Sequence, residues 1–128
     1  MKRKRKTYYY EVVTINQFPP AFDEFIHYAG ASRAEARAKY DDIVDYTRTS
    51  NRVGVYTERL ELRAWIVPDT VRVSAAFRKF SRRYPGNWMT NPNAANIDTD
   101  EHDALMNCIY SGPGYKVLKH EGGPQNEK

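Results

Sequence analysis

The sequence predicts an α+β fold: a single compact domain with a small antiparallel or mixed sheet of three to four strands and helices packed on one face. Three observations lead to this prediction. Residues 58–67 alternate apolar and polar side chains, with the period of two that is typical of a half-buried strand. Residues 7–15 are rich in aromatic and β-branched side chains, which favours a second strand. Residues 32–48 and 70–83 carry apolar side chains at helical spacing.

The charge of the chain is unevenly distributed. The net charge of 128 residues is +4, yet residues 1–6 alone carry five positive charges and residues 69–84 a net four, so the remainder is acidic. The sequence predicts that the chain divides into a flexible basic arm over residues 1–6, the domain over 7–119 and a disordered tail over 120–128. The basic residues of the arm are Lys2, Arg3, Lys4, Arg5 and Lys6.

The first strand is followed by a predicted short helix. Residues 7–15 are apolar on both faces, as in a central strand. Pro19 and Pro20 end that strand, and Pro20 suits the first turn of a helix that Gly30 would close. The predicted buried stripe of this helix is Phe22, Phe25, Ile26 and Ala29.

The clearest helix signal is at residues 32–48. Ser32 and Glu35 have the spacing of a capping box, in which each side chain accepts a hydrogen bond from the other residue's backbone N–H. The helix then turns one apolar stripe inward, as amphipathic helices of globular proteins do. That stripe is Ala36, Tyr40, Ile43, Val44 and Thr47.

Between Val53 and Leu60, the side chains expected to face inward switch from odd-numbered to even-numbered positions. Val53 and Val55 are odd-numbered, whereas Leu60 and Leu62 are even-numbered. Either a β-bulge or a tight hairpin would produce this change. Because no Gly, Asn or Pro marks a turn at residues 57–59, a bulged strand over 53–67 is favoured.

Pro68 ends that strand, and Asp69 or Thr70 can cap the helix that follows. Its predicted buried stripe is Val73, Ala76, Phe77, Phe80 and Tyr84. Its other face is basic, with Arg72, Arg78, Lys79, Arg82 and Arg83. Such a face can follow phosphates, dock on an acidic protein, or remain solvated surface.

The last part of the domain is predicted as loop, helix and strand. In the polar loop 87–97, Trp88 and Met89 are either pinned to the core or held out for a partner. Residues 98–110 form a helix with an apolar stripe of Leu105, Cys108 and Ile109. Tyr115, Val117 and Leu118 then suit an edge strand.

Catalytic and metal-binding signals are weak. The acidic run Asp98, Asp100, Glu101, His102 and Asp103 resembles a site for a hard cation, but acids at a helix N-terminus are also stabilised by the helix dipole. Zinc would need His27, His102, Cys108 and His120, which are scattered without paired spacing. No P-loop, G-x-S-x-G or G-x-G-x-x-G occurs. We therefore expect no enzyme activity, no metal and no cofactor.

The composition points to the cytoplasm. A single cysteine excludes an internal disulfide, which fits a reducing compartment. No apolar run is long enough to span a membrane, and Glu11 interrupts the only candidate for a signal peptide. In size and charge the chain is similar in style to small accessory proteins of phages and mobile elements, although no motif carries that likeness.

Three functions follow as hypotheses. The first is a non-catalytic regulatory protein that binds an anionic protein or nucleoprotein. The second is a direct DNA- or RNA-binding module, in which the basic helix holds phosphates while Tyr84 and Trp88 stack on bases. The third is a small metal-dependent hydrolase that uses residues 98–103. On the strand 58–67, an exposed Trp65 would need a reason. Either a helix or the loop 87–97 covers it, or the outward face with Arg63 and Trp65 is a further candidate binding surface. The oligomeric state is left open.

Overall fold

The computed structural model of the chain describes residues 6–16, 23–50, 59–89 and 99–122. Within these ranges the elements are β1 (Tyr8–Asn16), β2 (Asp23–Gly30), α1 (Arg33–Ser50), β3 (Arg59–Ile66), α2 (Val71–Arg83), α3 (Thr99–Tyr110) and β4 (Tyr115–Gly122). The strands form one antiparallel sheet in the order β2-β1-β3-β4. The predicted α+β class is confirmed.

The two strands predicted most clearly, β1 and β3, form the centre of the sheet. They pair over their full length, with Glu11 opposite Arg63. Val12 and Val13 are adjacent on β1 and both are 0% exposed, so both faces of the strand are covered. This is the central strand that the apolar composition of residues 7–15 predicts.

The predicted helix after Pro20 is wrong over residues 23–30, which form the edge strand β2; Pro20 and Phe22 lie outside the described residues. A β-bulge explains the misleading spacing. The register against β1 shifts between Val12 and Val13, which places Ile26 on the same face as Ala29. Two residues three apart normally lie on opposite faces of a strand, so the bulge mimics a helical spacing. Phe25, on the other face, is exposed.

The helices lie on both faces of the sheet, whereas the sequence predicted helices 32–48 and 70–83 on one face. Alternate residues of β1 enter two separate cores: Tyr10 and Val12 pack with α1, and Tyr9 packs with α2 and α3. We call these sides the α1 face and the α3 face. Since residues 7–15 are apolar on both sides, a helical layer is needed on each.

Helix α1 begins with a capping box that includes a third residue. The Glu35 N–H donates to Ser32 Oγ at 3.1 Å, as predicted. The second bond of the box, from the Ser32 N–H to Glu35, passes through Tyr28. The Ser32 N–H donates to the Tyr28 hydroxyl at 3.2 Å, and that hydroxyl donates to Glu35 at 3.3 Å. Burial, with the charge of Glu35 adding to it, raises the pKa of Tyr28 to about 12. Gly30 is required here, since a Cβ would lie 2.7 Å from the Tyr28 hydroxyl oxygen.

Along α1, Ala36 and Tyr40 are buried and Ile43 and Val44 are partly buried, as predicted. The Thr47 side chain lies outside the part that the structure describes, as do residues 51–58, where the choice between a bulge and a hairpin falls.

Helix α2 is anchored by Thr70 and by its aromatic residues. The Val73 N–H donates to Thr70 Oγ1 at 3.3 Å, which is the predicted N-cap. Phe77, Phe80 and Tyr84 are buried as expected, whereas Ala76 is exposed. The helix packs against α3, and together the two helices form the layer over the α3 face.

Helix α3 buries a different stripe from the predicted one. Leu105 and Ile109 are buried, but Cys108 is exposed and Met106 takes its place in the core. The reason is that α3 rests on the sheet and on α2 from one side, so its inward positions are 105, 106 and 109. Strand β4 is an edge strand as predicted, but it continues to Gly122, beyond the predicted tail boundary at residue 120. None of the helices described is long and apolar enough to cross a membrane.

Candidate functional site

The exposed basic side of α2 is one candidate site. All five of its basic residues are exposed: Arg72, Arg78, Lys79, Arg82 and Arg83. They lie on the side of the helix opposite the buried Phe77 and Phe80, as the helical spacing requires. We call this set the basic face of α2. The helix itself contains no acidic residue.

The described part of the chain neutralises little of this positive charge. Among the residues that the structure describes, only Arg83 of the five forms an ion pair, with Glu101 of α3 at 3.4 Å. The side chains of both partners are solvated, at 57% and 32% exposure, so the pair contributes little. Arg83 also lies over the Tyr84 ring, with its guanidinium carbon 5.4 Å from the centroid. The other four cations therefore face solvent.

The aromatic residues predicted to stack on bases beside this face are in the core, which corrects that part of the site. Tyr84 is buried and packs on Phe80 at 4.8 Å. Trp88 is 4% exposed, stacks on Tyr9 at 5.5 Å, and donates its indole N–H to the Tyr84 carbonyl at 2.6 Å. Of the two alternatives for Trp88, pinning to the core is therefore confirmed. Met89 is exposed.

Asn87 explains how Trp88 is held. Its side-chain amide donates to the His27 carbonyl at 2.9 Å and accepts from the Ala29 N–H at 3.2 Å. The Trp88 N–H also donates to the Ala29 carbonyl at 2.7 Å. The segment after α2 is thus attached to β2 by backbone and side-chain bonds, which positions the indole in the core.

The second candidate surface, Arg63 with Trp65, proves to be part of a charged network on the α3 face. Arg63 is 5% exposed and Trp65 is partly buried between two tyrosines, with ring centroids 4.7 Å from Tyr110 and 4.6 Å from Tyr115. Of the two alternatives for Trp65, cover by a helix is the one observed, and Arg63 beside it is buried. Tyr110 of α3 and Tyr115 of β4 cover the indole.

Glu11 is the centre of one half of this network. It is 2% exposed and accepts from three neutral donors: the Tyr9 hydroxyl at 2.8 Å, the Trp65 indole N–H at 2.9 Å, and the Tyr110 hydroxyl. A buried carboxylate requires such donors. Burial first, and the charge of Glu11 second, raise the pKa values of Tyr9 and Tyr110.

Arg63 is the centre of the other half. Its Nε donates to Glu61 at 2.8 Å, and its two terminal nitrogens donate to Glu24 at 3.4 and 3.2 Å. Glu61 also accepts from Arg59 at 2.6 Å. Burial alone would raise the pKa of Glu61, but the two arginines outweigh burial and lower it. Burial alone would lower the pKa of Arg63, yet Glu24 and Glu61 raise it.

A cleft of about 470 Å³ opens between the two halves of the network. Its lining residues are Glu11, Glu24, Ile26, Arg63, Trp65, Tyr110 and Tyr115. Only Arg63 and Trp65 were singled out as site residues from the sequence; the other five, Glu11, Glu24, Ile26, Tyr110 and Tyr115, were not. One sequence signal could have indicated Glu11: it is a single acidic residue within an otherwise apolar strand, where a charge needs partners.

The residues proposed for metal chemistry do not form a cluster. Over the part of the chain that the structure describes, no three His, Cys, Asp or Glu side chains are placed to hold a metal ion. His102 packs against Phe80 and Trp88, and its Nδ1 lies 3.4 Å from Asp103. His27 forms a hydrogen bond with Thr14 at 2.8 Å. His27 lies on β2, whereas Cys108 lies on α3 and His120 on β4. Asp98, like Lys2–Arg5 of the arm, lies outside the described residues.

Comparisons with protein families, with characterised proteins and with solved structures find nothing that matches this chain.

Proposed function

We propose that the protein is a non-catalytic, regulatory binding protein that docks on the anionic surface of a protein or nucleoprotein through the basic face of α2. The observation that carries this proposal is that the helix exposes five cations, of which one forms an ion pair among the described residues. Unneutralised surface charge attracts a partner of opposite sign and accelerates its association.

The basic face is also a rigid surface. Phe77 and Phe80 fix α2 in the core, and Thr70 caps its first turn. Arg72 and Arg83 are eleven residues apart, which corresponds to roughly 16 Å along a helix. The exposed Ala75 between them is small, so a partner surface can approach the helix closely. These features favour an extended anionic surface over a single small anion.

Direct binding of DNA or RNA is the second candidate, and the same face favours it. With Tyr84 and Trp88 in the core, it would depend on phosphate contacts alone. Such binding is independent of base sequence and weakens steeply with salt. The basic arm, Lys2 to Lys6, would add to it. We also infer a cytoplasmic location from the single cysteine.

Charge reversal tests the proposal. We would compare wild type with the double variant Lys79→Glu and Arg82→Glu, and use Arg37→Glu as the control. Arg37 is an exposed arginine of α1, on the other face of the sheet. Each protein would be used to capture partners from nuclease-treated extract, and each would be titrated with duplex DNA at low and moderate salt.

The two functions predict different results. A protein partner that binds wild type and Arg37→Glu but not the double variant supports the first. Salt-sensitive DNA binding that follows the same pattern, with no protein partner, supports the second. If the double variant retains every partner that wild type binds, the basic face is not the binding site.

A further inference from the structure

The cleft on the α3 face has the chemistry of a small-molecule site that is separate from the basic face of α2. Its base contains a buried guanidinium, Arg63, and a buried carboxylate, Glu11. Aromatic rings form one wall, and Tyr110 and Tyr115 are each 42% exposed at its opening. A volume of about 470 Å³ is within the range of ordinary ligand pockets.

The two buried charged groups differ in how much of their hydrogen-bonding capacity is already used within the protein. Glu11 accepts three hydrogen bonds from neighbours packed around it, so it has little capacity for a ligand. Arg63 is held firmly at Nε by Glu61, at 2.8 Å. Its outer nitrogens, in contrast, make only the longer bonds of 3.4 and 3.2 Å to Glu24. The outer side of the guanidinium is therefore the part of the cleft that can change partner.

Glu24 is the residue that can leave. It is on the edge strand β2, and its side chain is 53% exposed, against 6% for the Arg63 side chain. Only the Glu24 end of this ion pair is exposed, so water can solvate the released carboxylate while the ligand's carboxylate takes its place on the buried Arg63. Glu24 thus occupies, as part of the chain, the position that the carboxylate of a ligand would take.

We propose that the cleft binds a small aromatic carboxylate, whose carboxylate displaces Glu24 from the two outer nitrogens of Arg63. Arginine binds planar carboxylates through two parallel hydrogen bonds. The ring of the ligand packs against the wall of Trp65, Tyr110 and Tyr115. Arg63 keeps one carboxylate on its outer nitrogens in the exchange, and the displaced Glu24 carboxylate moves into solvent.

The test uses benzoate as the probe and benzamide, of the same shape but neutral, as its control. The indole N–H of Trp65 donates to Glu11 inside the cleft, whereas that of Trp88 lies in the core, so their two NMR signals separate cleft binding from other effects. The Trp65→Phe variant assigns the signals. We expect benzoate at millimolar concentration to shift the Trp65 signal saturably and benzamide to bind more weakly.

Glu24→Gln supplies the decisive comparison, because it removes the charge of the internal competitor at an exposed position. We expect it to tighten benzoate binding about two- to five-fold, because it weakens a competing bond whose carboxylate is already half solvated. Asp42→Asn, which removes one negative charge from an exposed position on α1, should leave the affinity unchanged. No saturable shift at Trp65, equal binding of benzamide, or no gain in Glu24→Gln over Asp42→Asn would each overturn the proposal.

Discussion

The basic face of α2 and the charged network of the α3 face are both rich in charge, but they differ in how that charge is satisfied. On α2, five cations are exposed and one forms an ion pair within the described residues. In the network, Glu11, Glu61 and Arg63 are nearly inaccessible and each is held by two or more hydrogen bonds. The comparison indicates that the network contributes to stability and that the charge of α2 is available to a partner.

The largest effect on stability should come from Arg63→Met. Breaking a buried ion pair by removing one partner costs about 3–5 kcal/mol. We expect a value toward the lower end, because Glu61 keeps its bond to Arg59. Urea denaturation measures the free energy of unfolding. Arg78→Met, at an exposed position on α2, is the matched control and should change it by less than about 0.5 kcal/mol. Equal effects at the two positions would contradict the distinction between the regions.

The next effect should come from Glu11→Gln, which keeps the shape of the side chain and removes its charge. Hydrogen bonds to a charged group contribute about 1.5–3 kcal/mol, and a Gln amide also turns an N–H group toward three donors. We therefore expect a loss of about 2 kcal/mol. Glu35→Gln, in the capping box of α1, should cost less because it is exposed. A Glu11→Gln protein as stable as wild type would show that the three bonds are not stabilising.

The pH dependence of stability should reflect Glu61. Its pKa is lowered in the folded state, below its ordinary value of 4.5, because Arg59 and Arg63 outweigh burial. The unfolded chain therefore takes up the proton first on acidification. The stability that Glu61 contributes is full above the unfolded pKa and is lost as the pH falls through the folded pKa. Denaturation at a series of pH values measures this, and Glu61→Gln should flatten the decline below pH 4.5. An unchanged slope would rule Glu61 out as its source.

The smallest effect on stability should come from Arg82→Gln on α2. The residue is exposed and has no ion pair among the described residues, so the free energy of unfolding should stay within about 0.5 kcal/mol of wild type. If a polyanion binds this face, the same variant should reduce the slope of log affinity against log salt concentration by about the amount that one phosphate contact contributes. Arg37→Gln on α1 should alter neither quantity. A marked loss of stability in Arg82→Gln would mean that α2 uses its charge internally.

The part of the fold that could be predicted from the sequence is the part that local pattern encodes. The alternation of residues 58–67 predicts β3, and Ser32 with Glu35 predicts the start of α1. The segment that forms β2 was predicted wrongly because its inward side chains depend on how it pairs with β1. A bulge relative to β1 determines which side chains face inward, and spacing along β2 alone cannot reveal it.

The candidate sites follow the same division. The sequence by itself determined the basic face of α2, because helical spacing places the cations opposite the buried aromatic residues whatever the helix packs against. Only the tertiary structure decided that Tyr84 and Trp88 are core residues and that Arg63 is enclosed by Glu24, Glu61 and Tyr115. Tyr110 and Glu11 are 99 residues apart in the chain, yet their side chains form a hydrogen bond. The physical reason is that burial and pairing depend on which elements meet in space. The spacing of charged residues along the chain determines only the side of the helix or strand on which they lie.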